Sequence, residues 1–334
     1  MISDGAWAWL EPRLPDRRPV RGGRWRDHRQ VIEAVAWKCR TGSPWREIPE
    51  RFGPWQTAYE RHSRWSVDGT WARLLAAAHS AADAAGELDW LVSADSSLVR
   101  VHQHGAAAVR IGGNAATAAG PGGRGTDWPD SPPDSPPDSP LGSPRATQGA
   151  RSNHKNQPDR RPDRGWPVGA EPSTHAIGRS RGGLTTKVHL LSDGRGRPLV
   201  LLASPGNVND TTVFGPLLAG LRVARAGPGR PRTRPDYLLA DKGYSSRANR
   251  TLLRRRHIAH TIPEPADQQA NRTRRGSAGG RPAGFDAVRY RHRNTVERGF
   301  CQLKHWRGLA TRYDRLARNY LGALTLAALL TWLP

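Results

Sequence analysis

The stretch Trp90-Leu91-Val92-Ser93-Ala94-Asp95-Ser96-Ser97-Leu98-Val99-Arg100-Val101 decides the fold class. Aliphatic and β-branched residues, bounded by polar ones, read as a strand or two with Asp95 inside. A charge within a mostly apolar strand costs several kcal/mol unless it is paired or binds a cation. Asp95 is therefore a candidate functional group as well as a marker of the strand.

Downstream, Gly183 to Leu191, the turn Ser192-Asp193-Gly194-Arg195-Gly196 and Pro198 to Ala203 form a β-hairpin signature, with strand residues on both sides of an Asp-Gly turn. Asp236-Tyr237-Leu238-Leu239-Ala240-Asp241 is a short apolar strand that ends in a carboxylate, which is where α/β sheets place their chemistry. A helix from Ser245 to Arg256, a strand from Ile258 to Ile262, a basic Gly-rich loop from Asn271 to Gly284 and a long helix from about Asp286 follow. Between Gly105 and Ala170 the composition turns to Gly, Ala, Pro, Ser and Asp, which cannot bury enough apolar surface to order itself, so this segment is expected to be a disordered insertion.

Upstream, from Trp7 to about Ala85, apolar residues recur at three-to-four spacing, as in Val31, Ile32, Val35 and Ala36 and again in Trp71, Leu74, Leu75 and Ala78. The pattern predicts a compact helical module. Its tryptophans, interleaved with arginines, suit either core packing or stacking on nucleic acid, and packing is the default for a small module.

On a helix beginning near Asp286, Tyr290, Arg293, Glu297 and Lys304 fall within a sector of about 60°. Val296, Phe300 and Leu303 form an adjoining apolar stripe. Taken alone, this charged edge is also what a solvated face held by an Arg293–Glu297 pair looks like. Asp95 in an early strand, Asp241 ending a later one and Glu297 on a C-terminal helix can, however, converge at one end of a mixed sheet. Such hard oxygen ligands suit Mg²⁺ or Mn²⁺, and two ions roughly 4 Å apart can activate the attacking oxygen and stabilise the leaving oxygen of a phosphodiester. Asp95 would touch both ions, and Asp241 and Glu297 mainly one each.

The charge agrees with a polyanionic partner: 52 Lys and Arg against 29 Asp and Glu give +23 over 334 residues. An arginine-rich composition inherited from a GC-rich genome is the competing explanation. Cys39 and Cys301 lie far apart and outside any CxxC pair, which gives no support to a zinc site or a disulfide framework and fits a reducing cytoplasm. No secretory signal or membrane-length apolar run is present, and the apolar run Leu321–Leu333 reads as a final packed helix. Two histidines after the first strand, His102 and His104, read as loop residues rather than ligands.

These residues resemble the DDE transposases of insertion sequences, specifically insertion-sequence family 5 within the IS4/IS5-like group. Tyr290, Arg293, Glu297 and Lys304 match that group's Y-x2-R-x3-E-x6-K signature in full. Further similarity lies in Gly178–His189, Ala240–Tyr244, Leu303–Arg307 and Ala310–Asp314, and in the leader segments Gly22–Arg26 and Arg40–Arg46. The resemblance implies an α/β fold with an RNase H-like mixed sheet flanked by helices, preceded by a small all-α domain. The implied organisation is a DNA-binding leader at 1–85, the first catalytic strands at 86–109, the insertion at 110–169 and the rest of the catalytic domain at 170–334. It implies Asp95, Asp241 and Glu297 as catalytic metal ligands for two Mg²⁺ or Mn²⁺ ions, with Tyr290, Arg293 and Lys304 contacting DNA near the cleaved end. Terminal inverted repeats and target DNA are the implied partners, a homodimer or larger assembly on DNA the implied state, and the nucleoid the implied location. DNA recognition is expected in the leader, with Arg24 and Arg26 among a candidate phosphate-contacting set that includes Arg17, Arg18, Arg21 and Arg29. A DNA-binding relic that no longer cuts and an RNase H-like nuclease are the alternatives.

Overall fold

The strand around Asp95 is one continuous element, β1 (Leu91–Val101), and the rest of the sheet is arranged about it. The computed structural model describes residues 2–17, 25–106, 172 and 174–334, so the expected insertion at 110–169 lies outside the described residues. On one side β1 pairs antiparallel with β3 (Gly183–Ser192), whose far edge is taken by β2 (Gly178–Ser180) and then β4 (Pro198–Pro205). On its other side β1 pairs in parallel with β5 (Tyr237–Ala240) near its start and with the two-residue β7 (Thr311–Arg312) near its end. The strand β6 (Ala259–Thr261) continues the parallel edge beside β5, and the sheet is therefore mixed.

Period-two alternation gives this sheet two different faces. Val92 and Ala94 share an apolar cluster with Leu238, Ala240, Phe214, Leu217, Tyr244 and Leu253, which covers one face with α6 (Asp210–Ala219) and α7 (Arg247–Arg255). Val99, Val188 and Leu190 belong to the other cluster, with Val296, Phe300 and Leu303 of α10 (Asn294–Lys304). Odd-numbered β1 positions thus look toward α10 and even-numbered ones toward α6. The β3–β4 turn meets α10 at a close crossing: a Cβ built on Gly299 would stand 2.5 Å from the Gly196 carbonyl oxygen, so glycine is what lets the helix lie this low.

Within 4–84 the described residues form only helices and turns: α1 (Asp4–Leu10), α2 (His28–Thr41), α3 (Trp55–Val67) and α4 (Thr70–Ala84). Their main core is shared rather than private. Val31, Ile32, Trp65, Trp71 and Leu74 pack in one cluster with Tyr320, Leu324 and Leu326 of the C-terminal helix α12 (Ala317–Leu330), which runs against α3 and α4. Trp65 and Trp71 are fully buried and meet edge to face at 5.0 Å, a favoured aromatic geometry. A buried ion pair, Lys38 Nζ to Asp314 Oδ2 at 3.5 Å, ties α2 to the segment after β7. Beside it Arg312, fully buried, donates to Thr186 Oγ1 and to the Asp314 and Arg315 carbonyls.

Two local readings change. Asn271–Arg274 of the expected Gly-rich loop belongs to α8 (Ala266–Arg274), where an Arg272–Glu264 ion pair at 2.9 Å supports helix, and Gly276–Gly279 is a 3₁₀ turn. The long helix expected from Asp286 is broken into α9 (Ala287–Tyr290), a 3₁₀ turn at Arg291–Arg293 and α10. The backbone stays right-handed throughout, so the signature residues are tightened by one turn rather than scattered. The remaining short helices are α5 (Gln103–Ala106) after β1 and α11 (Arg307–Ala310) before β7.

Two buried histidines make stability pH-dependent. His62 Nε2 donates to the Asn319 carbonyl at 3.0 Å and His79 Nε2 to the Pro198 carbonyl at 3.0 Å, and burial lowers each from 6.5 to about 4. The unfolded chain takes up these protons first, so the stability due to the neutral rings is complete above about 6.5 and is lost as pH falls from there towards about 4. Melting curves across this window should show the midpoint dropping steadily, and His79→Gln should flatten the drop.

Candidate active site

Ala94 pairs with Ala240 in the parallel β1–β5 register, so the next residues, Asp95 and Asp241, stand side by side at the same level of neighbouring strands. Adjacent strands lie about 4.8 Å apart, which brings the two carboxylates into electrostatic contact. Burial pushes the Asp95 carboxyl above its usual range; the Ser96 N–H, which donates to Oδ1 at 2.8 Å, and Arg293 hold it down, and Asp241 pushes it up further. Asp241 ends β5 and turns back on its own chain, its Oδ1 accepting from Gly243 N at 2.9 Å. A Cβ on Gly243 would crowd that oxygen at 3.0 Å, which is why glycine suits this 3₁₀ turn.

Arg293 is the link to the helix. Its Nη1 donates to Asp95 Oδ2 at 3.0 Å and its Nη2 to Glu297 Oε1 at 2.7 Å, one guanidinium fork holding two carboxylates. Burial disfavours its charge, yet Asp95, Tyr290 and Glu297 raise its pKa above the ordinary value. Tyr290 lies within the same field: burial raises its hydroxyl pKa, Arg293 lowers it, and Asp241 and Asp95 raise it. Two turns further along, Lys304 Nζ donates to Ser97 Oγ at 2.6 Å, so the second signature cation also reaches the Asp95 face of β1. Asp95, Asp241, Tyr290, Arg293, Glu297 and Lys304 therefore gather along one edge between β1, β5 and α10.

A second set, on the opposite face of β1, was not legible in the sequence. Asp210, the first residue of α6, accepts from Ser96 Oγ at 2.9 Å, pairs with Lys187 Nζ at 3.0 Å and lies 3.8 Å from His189 Nδ1. Lys187 and His189 alternate along β3, and His189 sits opposite Ser96 in the β1–β3 register. Burial lowers His189 to about 4, with Asp210 raising it and Lys187 lowering it, so the ring is neutral there. Tyr244 is fully buried against Phe214, and burial together with Asp210, Asp95 and Asp241 raises its hydroxyl pKa. A carboxylate behind an Asn cap reads as ordinary helix-dipole compensation, and nothing in the chain order pairs it with Lys187.

The donor set suits hard cations in charge and chemistry: Asp95, Asp241 and Glu297 offer oxygen only, and Arg293 stands between Asp95 and Glu297 as a counter-charge. In this arrangement the guanidinium occupies the place between Asp95 and Glu297. Accordingly, among the described residues no three His, Cys, Asp or Glu side chains stand together closely enough to hold one ion.

Elsewhere, Arg24, Arg18 and Arg21 lie outside the described residues, and Arg26 is exposed. Arg29 is held internally by Asp4 at 2.6 Å and Glu33 at 3.6 Å. His102 stacks on His104 and Tyr313 at 4.7 and 4.8 Å, beyond the end of β1. Among the described residues no helix is long and apolar enough to cross a membrane.

A mixed sheet whose adjacent strands and covering helix bring acidic and basic groups to one edge defines an α/β protein, and comparison with known proteins gives the family. Residues 87–332 match the family model described as "Transposase DDE domain", and the chain belongs to that family. Residues 2–75 match the model described as "Putative transposase of IS4/5 family". The chain is 34% identical over 132 residues to the "Putative transposase for insertion sequence element IS402" of Burkholderia cepacia, a stretch covering 40% of this chain and 55% of that relative. It is 33% identical over 112 residues to the "Uncharacterized protein y4sN" of Sinorhizobium fredii, covering 34% of this chain and 86% of that protein. It is also 29% identical over 150 residues to the "Putative transposase for insertion sequence element IS6501" of Brucella ovis, covering 45% of this chain and 99% of the relative. No solved structure matches the chain.

The Arg293 fork makes a testable claim about charge balance. Arg293→Met leaves Asp95 and Glu297 without their shared donor, and thermal or urea unfolding in EDTA should show a loss of about 1–3 kcal/mol. Unchanged stability would mean that the fork contributes nothing to holding α10 on the sheet.

Proposed function

We propose that this chain cuts DNA at the ends of an insertion sequence and joins those ends to target DNA, with Asp95, Asp241 and Glu297 as the ligands of two Mg²⁺ or Mn²⁺ ions on an RNase H-like catalytic fold. The observation that carries this reading is the convergence of Asp95 and Asp241 on neighbouring parallel strands with Glu297 brought to Asp95 through Arg293. When bound, such ions lower the pKa of the attacking oxygen and stabilise the leaving one.

The protein's own groups supply positioning. Arg293 is already a two-pronged donor, and exchange of a carboxylate for a phosphate oxygen suits the same fork. Lys304, exposed and held among the described residues by Ser97, is a point charge available to the next phosphate. The Tyr290 ring suits stacking on a base or sugar at the cut end. In the first step water attacks the phosphodiester at the element's end and the 3′-oxygen leaves with a proton as a hydroxyl. In the second step that hydroxyl oxygen attacks a target phosphodiester, a new P–O bond replaces the target's own 3′ P–O bond, and the attacking hydroxyl gives up a proton to solvent while the target's 3′-oxygen takes one up and leaves as a hydroxyl. The leader helices, with Arg24 and Arg26, are assigned to recognition of terminal inverted repeats, and a homodimer or larger assembly on DNA near the nucleoid follows from the need to cut two ends together.

The reading is tested by Glu297→Gln on a duplex carrying the element's end, with Mg²⁺ present. Cleavage and strand transfer should be abolished while the gel-shift affinity for the duplex stays within a few-fold; full cleavage by the variant would refute the assignment. As a direct readout of the ions, Mn²⁺ should raise the melting temperature of the wild-type chain through ligand linkage, and Asp241→Asn should reduce that rise.

A further inference from the structure

Away from this edge, one buried cation has no anion of its own. Arg61, on α3, is only 7% exposed, and among the described residues no carboxylate comes within ion-pair distance of it. Its guanidinium carbon lies 3.7 Å from the centre of the Trp25 ring and 5.6 Å from that of Trp65. Its Nη1 is 3.0 Å from His28 Nδ1. His28 Nε2 faces the Pro15 carbonyl at 2.9 Å and must donate to it, so Nδ1 is the bare acceptor of a neutral ring. Burial, with Arg61 and Arg17 adding to it and the Pro15 hydrogen bond and Asp27 opposing it, lowers the His28 pKa.

The neighbours add positive charge rather than cancel it. Arg64 lies over the same Trp25 ring at 5.3 Å, and the Arg17 carbonyl accepts the Trp25 N–H at 2.8 Å. Arg17 Nε is buried with no hydrogen-bond partner among the described residues. Burial first, and Arg64 second, lower Arg61 to about 10, so it remains a cation at neutral pH. Its Nε and Nη2 take no hydrogen bond among the described residues, yet they are not among the nitrogens sealed from solvent. An unpaired buried charge is costly, and the stacking on two indoles offsets only part of that cost.

We infer that Arg61, with Arg64 and Arg17 around Trp25, is a phosphate-binding site for the DNA backbone on the helical N-terminal segment. This rests on the reading of the chain as a DNA-processing enzyme. The site holds a phosphodiester by a charge-assisted fork from Arg61, the Trp25 face fixes the plane of the guanidinium, and the sequence of the bases does not enter.

The test is binding of the full chain to a short labelled duplex of arbitrary sequence, in EDTA, over a series of KCl concentrations. Arg61→Gln should weaken binding roughly 5–10-fold and reduce the log–log salt slope by about 0.9, the contribution of one phosphate, while Arg61→Lys keeps the slope. The melting temperature of Arg61→Gln in the absence of DNA should be unchanged or higher, because an uncompensated buried charge has been removed. Equal affinity and slope in wild type and Arg61→Gln would overturn the inference; so would a weakened affinity accompanied by a clear fall in melting temperature, which would mark Arg61 as a structural support of Trp25. Since no cleavage is read, failure of the active-site assignment, seen as full cleavage by Glu297→Gln, is distinguishable from failure here.

Discussion

The placement of Asp95 in the central strand governs the rest of this site. A carboxylate at that depth must be balanced, and the balance comes from a helix far along the chain: Arg293 donates to Asp95 and to Glu297 at once. That fork docks α10 on the sheet in register, since Val296, Phe300 and Leu303 can pack on Val99, Val188 and Leu190 only when the charged edge faces β1. The signature residues and the structural clamp are thus the same atoms. A guanidinium is suited to this because its planar fork reaches two carboxylates at once.

The two faces of β1 divide the work. Odd positions present Asp95 and Ser97 to Arg293 and Lys304, whereas Ser96 on the even face is anchored by Asp210, itself tied to Lys187. The strand is therefore held from behind at the residue next to Asp95. This network lies on the face away from α10, and its value is in fixing backbone rather than in presenting ligands. The Gly196–Gly299 crossing adds a third constraint, setting how closely α10 can lie over the hairpin.

The helical N-terminal segment and the sheet are joined through α12 and the buried Lys38–Asp314 pair. Breaking a buried pair by removing one partner costs more than the pair itself is worth, so this contact couples the integrity of the leader helices to the segment after β7. A helical segment that shares its core with the C-terminal helix is carried as one piece with the sheet. The Arg61 cluster lies on that helical part, and its charge is left open where the Arg29 charge is satisfied by Asp4 and Glu33.

Much was legible from local pattern. Alternation in Trp90–Val101, the Asp-Gly turn of the hairpin, the short strand ending at Asp241 and the Tyr290-Arg293-Glu297-Lys304 spacing each depend on near neighbours in the chain, and period and turn chemistry express them directly. The family followed from those same residues. The break of the last helix at Arg291–Arg293, the helical start of the supposed Gly-rich loop and the role of Asp210 were not legible, because each answers to a partner distant in sequence. By itself the amino-acid order determined the central strands, the hairpin and the acidic and basic groups that these elements and the last helix carry. Only the tertiary structure decided that Arg293 stands between Asp95 and Glu297, that Asp210 backs Ser96, and that Arg61 is buried with no carboxylate at ion-pair distance among the described residues, since the electrostatics of a group depend on what is packed against it and not on its neighbours along the chain.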